Sequence, residues 1–324
     1  MTLRYLSRAD VESLSLGMDR VIEAVETGFR LKGLGQTQMP PKIAIRPRGA
    51  GTFLHAMPAY VGGELDTACV KWVGGADDNY KLGLPTISGL LVVNDPQTMF
   101  PLCVMDCGWV TAMRTGAANA VAMKYLGPTD PAEVSVLGCG VQGRGNLLAM
   151  ATQFPSIQRC RIWDPNDQAA DAYLREMSER VAVQIDVVSS PEEAVRGADL
   201  IVTAGPSPKE PTPHLHLDWL KPGAMAAPVD YDGAWCPEVM QGVDRLITDD
   251  MGQMDYYRQQ GYFKTTPMPY ADLGEIVAGK KPGREHAEER TMSICMGIAV
   301  DDCVTADLVY RLALEKGVGT DLPL

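Results

Sequence analysis

Val134-Ser135-Val136-Leu137-Gly138-Cys139-Gly140-Val141-Gln142-Gly143 is the stretch whose reading decides the fold. A β-branched run ends in G-x-G-x-x-G, and Asn146-Leu147-Leu148-Ala149-Met150 continues with helix formers. Strand, tight glycine turn and helix N-terminus, in that order, are the context in which this motif means dinucleotide binding. Gly138 permits the turn, Gly140 lets the backbone approach a pyrophosphate, and Gly143 lets the helix pack close on the strand. The free amides and positive end of that helix then face the phosphates. The next strand, Arg159-Cys160-Arg161-Ile162-Trp163, ends in Asp164. An acid there accepts hydrogen bonds from ribose hydroxyls and repels a 2′-phosphate, so the expected cofactor is NAD rather than NADP. Arg161 lies on the same strand, but alternation does not aim it at the ribose. The alternative is an ordinary glycine turn with Asp164 as a helix cap.

The 324 residues are enough for two domains with separate cores. Apolar residues make up 46% and charged residues 22%, the balance of a soluble globular chain. No apolar run reaches the roughly 20 residues that span a bilayer. The opening MTLRYLSRADVESL lacks the apolar core of a signal peptide. Eight cysteines are scattered through apolar stretches without a C-x-x-C pair, and Cys103 and Cys107 have no companion cluster. The expectation is reduced core thiols in a cytoplasmic protein, with no metal site and no membrane. A net charge of −12 argues against a nucleic-acid partner, whose phosphates need a basic face. It also requires any small-anion site to be built from local Arg and Lys.

Around the glycine turn, strand and helix alternate. Strands are expected at 183–188, 199–204, 224–230 and 245–249, with helices at 167–180 and 191–196, the doubly wound parallel pattern. Before it, residues 1–30 read as a helix system with Ser7 and Asp10 as caps. Strands follow at 42–47, 52–60, 68–73, 86–93 and 101–105, then an alanine-rich helix at 111–126. The stretch 294–316 reads as helical and returns to the first domain. The expected architecture is α/β: a Rossmann-type doubly wound parallel sheet, 119–299, inserted into an α+β substrate and dimerisation domain, 1–118 plus 300–324.

Arg46, Lys71 and Arg114 stand inside otherwise apolar segments with no obvious acid beside them. Buried charges are costly unless paired, so such cations either form structural ion pairs or await an anion. Arginine suits a carboxylate by its planar fork, and lysine is the residue whose proton affinity shifts most readily on burial. Lys71 is therefore a catalytic candidate that could act on a carbonyl or imine and, with Asp230, could protonate an imine nitrogen. Asp230 ends a Rossmann strand at the carboxyl edge where ligands bind, which favours a general acid/base over a helix cap. His214 and His216, in a Pro-rich loop, read as surface residues. For His55, pocket and packed-core readings remain open.

These residues carry a resemblance. Met105-Asp106, Ala112-Met113-Arg114-Thr115-Gly116-Ala117-Ala118 and Gly138-Cys139-Gly140-Val141-Gln142 resemble the ornithine cyclodeaminase/μ-crystallin family. So do Met57-Pro58-Ala59-Tyr60, Val70-Lys71, Leu273-Gly274-Glu275-Ile276-Val277 and Gly283-Arg284. The resemblance implies a homodimer built through the split domain, and a cyclodeaminase, alanine dehydrogenase or imine reductase activity on a small amino or imino acid. It places Arg46, Lys71 and Arg114 on the substrate carboxylate with Thr86 nearby, and Asp230 as acid/base beside the reacting carbon. Val141, Gln142, Asp164, Thr203 and Val229 would line the cofactor.

Three positions depart from the ornithine-specific pattern. His55 stands where a Glu holds the distal ammonium, Val229-Asp230-Tyr231-Asp232-Gly233-Ala234-Trp235 replaces a Gly-Asp-x-x-Gly-Lys run, and Cys295 replaces a Ser near the nicotinamide. These departures favour an NAD-dependent imine reductase or amino-acid dehydrogenase over a cyclodeaminase that uses bound NAD catalytically. A protonated His55 beside the other cations further suggests a dicarboxylic substrate, such as iminosuccinate reduced to aspartate. The rival is a small uncharged side chain, as in alanine formation. A third reading is a ligand-holding protein that binds cofactor without hydride transfer.

Overall fold

The computed structural model describes residues 2–49, 51–207 and 210–324. It divides the chain into one unit running to Arg114 and resuming over Ile298–Leu324, and a second unit, Thr115–Gly297. The sequence reading puts these joints at 118/119 and 299/300. The first observed joint falls inside a continuous helix, where composition offers no marker.

In chain order the first unit contributes β1 (Thr2–Leu6), α1 (Arg8–Ser13), α2 (Met18–Gly33), β2 (Thr37–Gln38), β3 (Ile43–Ile45), β4 (Thr52–Val61), β5 (Thr67–Ala76), β6 (Ile87–Asn94) and β7 (Pro101–Asp106), leading into α3 (Gly108–Leu126). The second contributes β8 (Glu133–Leu137), α4 (Val141–Gln153), β9 (Arg159–Trp163), α5 (Asp167–Ser178), β10 (Gln184–Val187), α6 (Pro191–Val195), β11 (Leu200–Thr203) and β12 (Met225–Pro228). It continues through α7 (Pro237–Gly242), β13 (Arg245–Thr248), α8 (Met251–Gln259), β14 (Ala271–Asp272), α9 (Leu273–Val277) and β15 (Thr291–Ile294). α10 (Ala299–Lys316) and β16 (Thr320–Pro323) return to the first unit.

The first unit's sheet runs β16-β1-β7-β6-β5-β4-β2, with β3 also paired to β4. β4 through β7 are antiparallel neighbours, so side chains alternate between a covered and an open face. α10 packs against β4, β5 and β6 and against α2. Along β5, Cys69, Lys71 and Val73 are buried while Trp72 is exposed. α2 follows the helical spacing of Val21, Ile22, Val25 and Phe29, all buried.

The second unit's sheet is parallel throughout, in the order β10-β9-β8-β11-β12-β15-β13-β14. β11, β12 and β15 are buried at every position, because a parallel sheet covered on both faces needs continuous apolar runs. Strand order reverses between β9-β8 and β11, the switch point at which open α/β sheets bind ligands.

Three expectations need correcting. Thr2–Leu6 is a strand and not part of a helix system, held by β7 on one side and β16 on the other. Both partners lie far away in sequence, so no local pattern announces it. Ser7 caps α1, with Asp10 closing the capping box from inside the helix rather than acting as a cap itself. The expected helix at 294–316 begins only at Ala299: Thr291–Ile294 is a strand, and Gly297, at φ +82°, turns the chain while its amide donates to Asp249. Among the described residues no helix is long and apolar enough to cross a membrane.

Candidate active site

In the second unit, the residues that the sequence marks for the cofactor lie at the carboxyl ends of its parallel strands. Gly138 follows β8, Asp164 follows β9, Thr203 ends β11, Val229 and Asp230 follow β12, and Cys295 follows β15. The turn is built as the motif demands. Gly138 has φ +105°, and a Cβ there would lie 2.7 Å from the Ala204 carbonyl. A Cβ on Gly143 would lie 2.1 Å from the Gly138 carbonyl oxygen. Gly140 differs, since a Cβ there meets nothing within 4 Å among the described residues. Packing therefore does not require glycine at 140, and the free space above its backbone suits a pyrophosphate.

Gly140 caps α4 without any side-chain hydrogen bond, which leaves first-turn amides for phosphate oxygens. Val141 opens the helix, exposed, and Gln142 follows with its buried Oε1 lacking a hydrogen-bond partner among the described residues. Asp164 accepts from the Cys139 amide at 2.7 Å and from the Asn166 amide at 2.9 Å, which pins it beside the glycine turn. Each carboxylate oxygen keeps a second lone pair for a ribose hydroxyl. Arg161 is turned elsewhere, onto the carbonyls of Glu193 and Arg196. Cys295 is buried against Ser293, Sγ to Oγ 3.4 Å. These residues fit a dinucleotide.

Asp230 is buried, and loss of water pushes its carboxyl up to about 6 even though Thr203 and Gly205 donate hydrogen bonds to it. The Thr203 hydroxyl lies 2.5 Å from Asp230 Oδ1, and the Trp235 indole N–H donates to that hydroxyl at 3.0 Å. Thr203 thus serves the acid directly, a role that its expected cofactor contact did not include.

The first unit holds the cations. Lys71 on β5 and Arg114 on α3 both donate to Asp302 Oδ1, at 2.7 and 2.9 Å. All three are buried, and Asp302 Oδ2 has no hydrogen-bond partner among the described residues. The first turn of α10 contains Asp302, where the helix dipole also favours a carboxylate. The expectation that no acid stands beside these cations is therefore corrected. Asp302 lies 231 residues from Lys71, and its only sequence signal is a pair of acids inside an apolar helix. Burial pulls Lys71 down to about 8, with Asp302 opposing and Arg114 reinforcing the shift.

His55 shares the covered face, since β4 and β5 pair His55 with Val73 and Met57 with Lys71. Its Nε2 is buried without a hydrogen-bond partner among the described residues, and its ring lies against Phe53. Burial, then Lys42, Arg46 and Lys71, push His55 down to about 3, so the expectation of a protonated His55 is not met. Lys42 is buried and joins this face through β3, whose Ala44 pairs with His55; the sequence analysis did not single it out. Arg46 is exposed and donates to the Thr52 carbonyl at 3.4 Å. Thr86 is exposed just before β6, remote along that strand from Leu91, which faces Lys71. The structure does not bring Thr86 to Lys71; it lies at the sheet end where Ala76 donates to its carbonyl and pairs with Thr52, the residue that Arg46 contacts. His214 and His216 are exposed, and His216 Nδ1 pairs with Glu238 at 3.0 Å.

A parallel nucleotide-type sheet, inserted in chain order into a sheet-and-helix unit with buried cations, defines a two-domain Rossmann-type protein. More particularly, the chain belongs to the ornithine cyclodeaminase/mu-crystallin family, whose model matches residues 3–317. It is 33% identical to an alanine dehydrogenase of Archaeoglobus fulgidus over 99% of this chain and 98% of that one. Among solved structures it is similar to the Thermococcus litoralis Δ1-pyrroline-2-carboxylate reductase in complex with NADH and L-proline, with 32% identity, TM-score 0.88, and coverage of 99% and 100% of the two chains. An archaeal alanine dehydrogenase dimer with bound NAD matches at 33% identity and TM-score 0.88 over 100% of both chains.

Proposed function

We propose that this protein is an NAD-dependent oxidoreductase that reduces a small α-imino acid to the amino acid, preferring NADH to NADPH and working as a homodimer. The observation that carries this reading is the convergence of two buried cations, Lys71 and Arg114, on Asp302 Oδ1. A buried guanidinium and ammonium gathered at one point are donors that suit a substrate carboxylate. When bound, the cofactor supplies the hydride that reduces the α-carbon of the imine. Lys71 and Arg114 hold the carboxylate, and Asp230 gives the nitrogen its proton. The proteins with NADH and L-proline, or with NAD, at 32–33% identity support the class of reaction.

The second carboxylate of a dicarboxylic imine, such as iminosuccinate, fits the His55 face, for a changed reason. His55 stays neutral because burial, and then the charges of Lys42, Arg46 and Lys71, oppose its protonation, and those charges also attract an anion. A neutral His55 can still donate one hydrogen bond to it.

The test follows NADH consumption with oxaloacetate plus ammonia and with pyruvate plus ammonia. Oxaloacetate is the expected better substrate, with His55→Ala impairing it selectively. A preference for pyruvate moves the reading to alanine formation, and ammonia release from an amino acid without net NADH change moves it to cyclodeamination. Asp230→Asn is expected to lower turnover by about 10²–10⁴.

A further inference from the structure

We infer that Thr203 and Trp235 are positioning residues for Asp230, holding Oδ1 as a permanent acceptor and leaving Oδ2 as the oxygen that gives up and regains the proton. This rests on the reading of Asp230 as the acid. An indole N–H can only donate, so at 3.0 Å from Thr203 Oγ1 it forces that oxygen to accept. The single hydroxyl hydrogen of Thr203 is then left for Asp230 Oδ1, 2.5 Å away, in the range of a charge-assisted O–H···O⁻ bond. With one lone pair of Oδ1 engaged by the Thr203 hydrogen, protonation is favoured on Oδ2. Gly205 lies on that side, and a Cβ added to it would stand 3.5 Å from Oδ2, so glycine there keeps the oxygen clear of a side chain at position 205.

The parts of the relay are fixed by packing rather than by one another. Trp235 is buried in the apolar core of its unit, and its strand-like segment is clamped by Cys236 N–H to the Leu215 carbonyl and Leu215 N–H to the Ala234 carbonyl. On the other side of the acid, Tyr231 holds φ +64°, a left-handed conformation that a non-glycine residue adopts only under constraint. Its ring packs against Tyr257, Tyr262 and Phe263, which supply that constraint. The groups that bear on Asp230 are thus Thr203, its own backbone amide, the Gly205 amide and, by charge, the exposed His214.

The experiment compares the full-length protein with Thr203→Val, Thr203→Ser and Trp235→Phe. Two readouts are used: the pH profile of reductive kcat/KM, and the carboxyl carbon resonance of Asp230, identified by its loss in Asp230→Asn and titrated without turnover. Removing the hydroxyl donor destabilises the carboxylate, so Thr203→Val moves both titrations upward by about one pH unit. Thr203→Ser restores their position. Trp235→Phe moves them the same way by less, lowering kcat with little change in KM. Titrations that stay in place in Thr203→Val overturn the relay. If Asp230→Asn leaves turnover and its pH limb intact, it is the acid assignment that fails. The Thr203 pair decides the matter whether or not the Trp235 variant folds.

Discussion

Asp230 and Lys71 are both buried, and burial moves each toward its uncharged form, Asp230 to about 6 and Lys71 to about 8. Imine reduction needs a proton donor, so the reductive rate falls as pH rises through the donor's pKa. Asp230 carries its proton below about 6, and Lys71 below about 8. The descending limb of reductive kcat/KM is expected near 6 and absent in Asp230→Asn, because the 2.7 Å bond to Asp302 commits Lys71 to charge neutralisation. A limb near 8 that disappears in Lys71→Met reassigns the donor to Lys71. In the oxidative direction the base form is required, so the same group gives a rising limb. The acid was recognisable in the sequence by its place at a strand end, and the cations as charges in apolar surroundings. The carboxylate that pairs the cations was not, because it arrives from the far end of the chain.

At the scale of the element, the three glycines of the β8–α4 turn answer different demands, and substitution separates them. A Cβ on Gly143 would press to 2.1 Å on the Gly138 carbonyl, so Gly143→Ala costs about 1–3 kcal/mol of stability, read as a lower Tm. Gly140→Ala meets no protein atom within 4 Å among the described residues, so its Tm holds. Its methyl instead occupies the phosphate approach, and the dissociation constant for NADH rises about tenfold, ~1.4 kcal/mol. Undiminished NADH binding by Gly140→Ala would sink the placement of the pyrophosphate. Gly116 shows the same logic in α3: a Cβ there would lie 2.4 Å from the Gly145 carbonyl of α4, so the helices meet through glycine. The elements with strong periodicity, such as α2 and β4, were legible in the sequence. β1 and β15 were not, since a short strand is defined by its partners more than by its own composition.

For the whole molecule, the open face of the first unit's sheet is the feature that bears on assembly. Pairing sets Ile43 opposite Ala56, Ala56 opposite Trp72, and Trp72 opposite Leu90, one row across four strands. Ile43, Trp72 and Leu90 are 59%, 48% and 44% exposed, an apolar row that a lone chain leaves in water. Contiguous apolar surface of this kind marks an association site, and the NAD-bound archaeal relative is a dimer. Trp72→Glu is therefore expected to convert a dimer to a monomer in sedimentation velocity, with the far-ultraviolet spectrum unchanged. A wild-type protein that sediments as a monomer at micromolar concentration refutes the assembly.

The sequence by itself determined the Rossmann-type unit, its glycine turn and the acid at Asp164, because strand, turn and helix N-terminus are neighbours in the chain. It also singled out Asp230 by its place at a strand end, and Lys71 and Arg114 by their charge among apolar residues. Only the tertiary structure decided what those groups face. It put Asp302 between Lys71 and Arg114, drew Thr203 and Trp235 onto Asp230, and brought Lys42 beside a His55 that is kept neutral. Proton affinity and ion pairing depend on burial and on distances of a few ångströms. Those distances are set by which elements pack together, and that information is not local to any stretch of the chain.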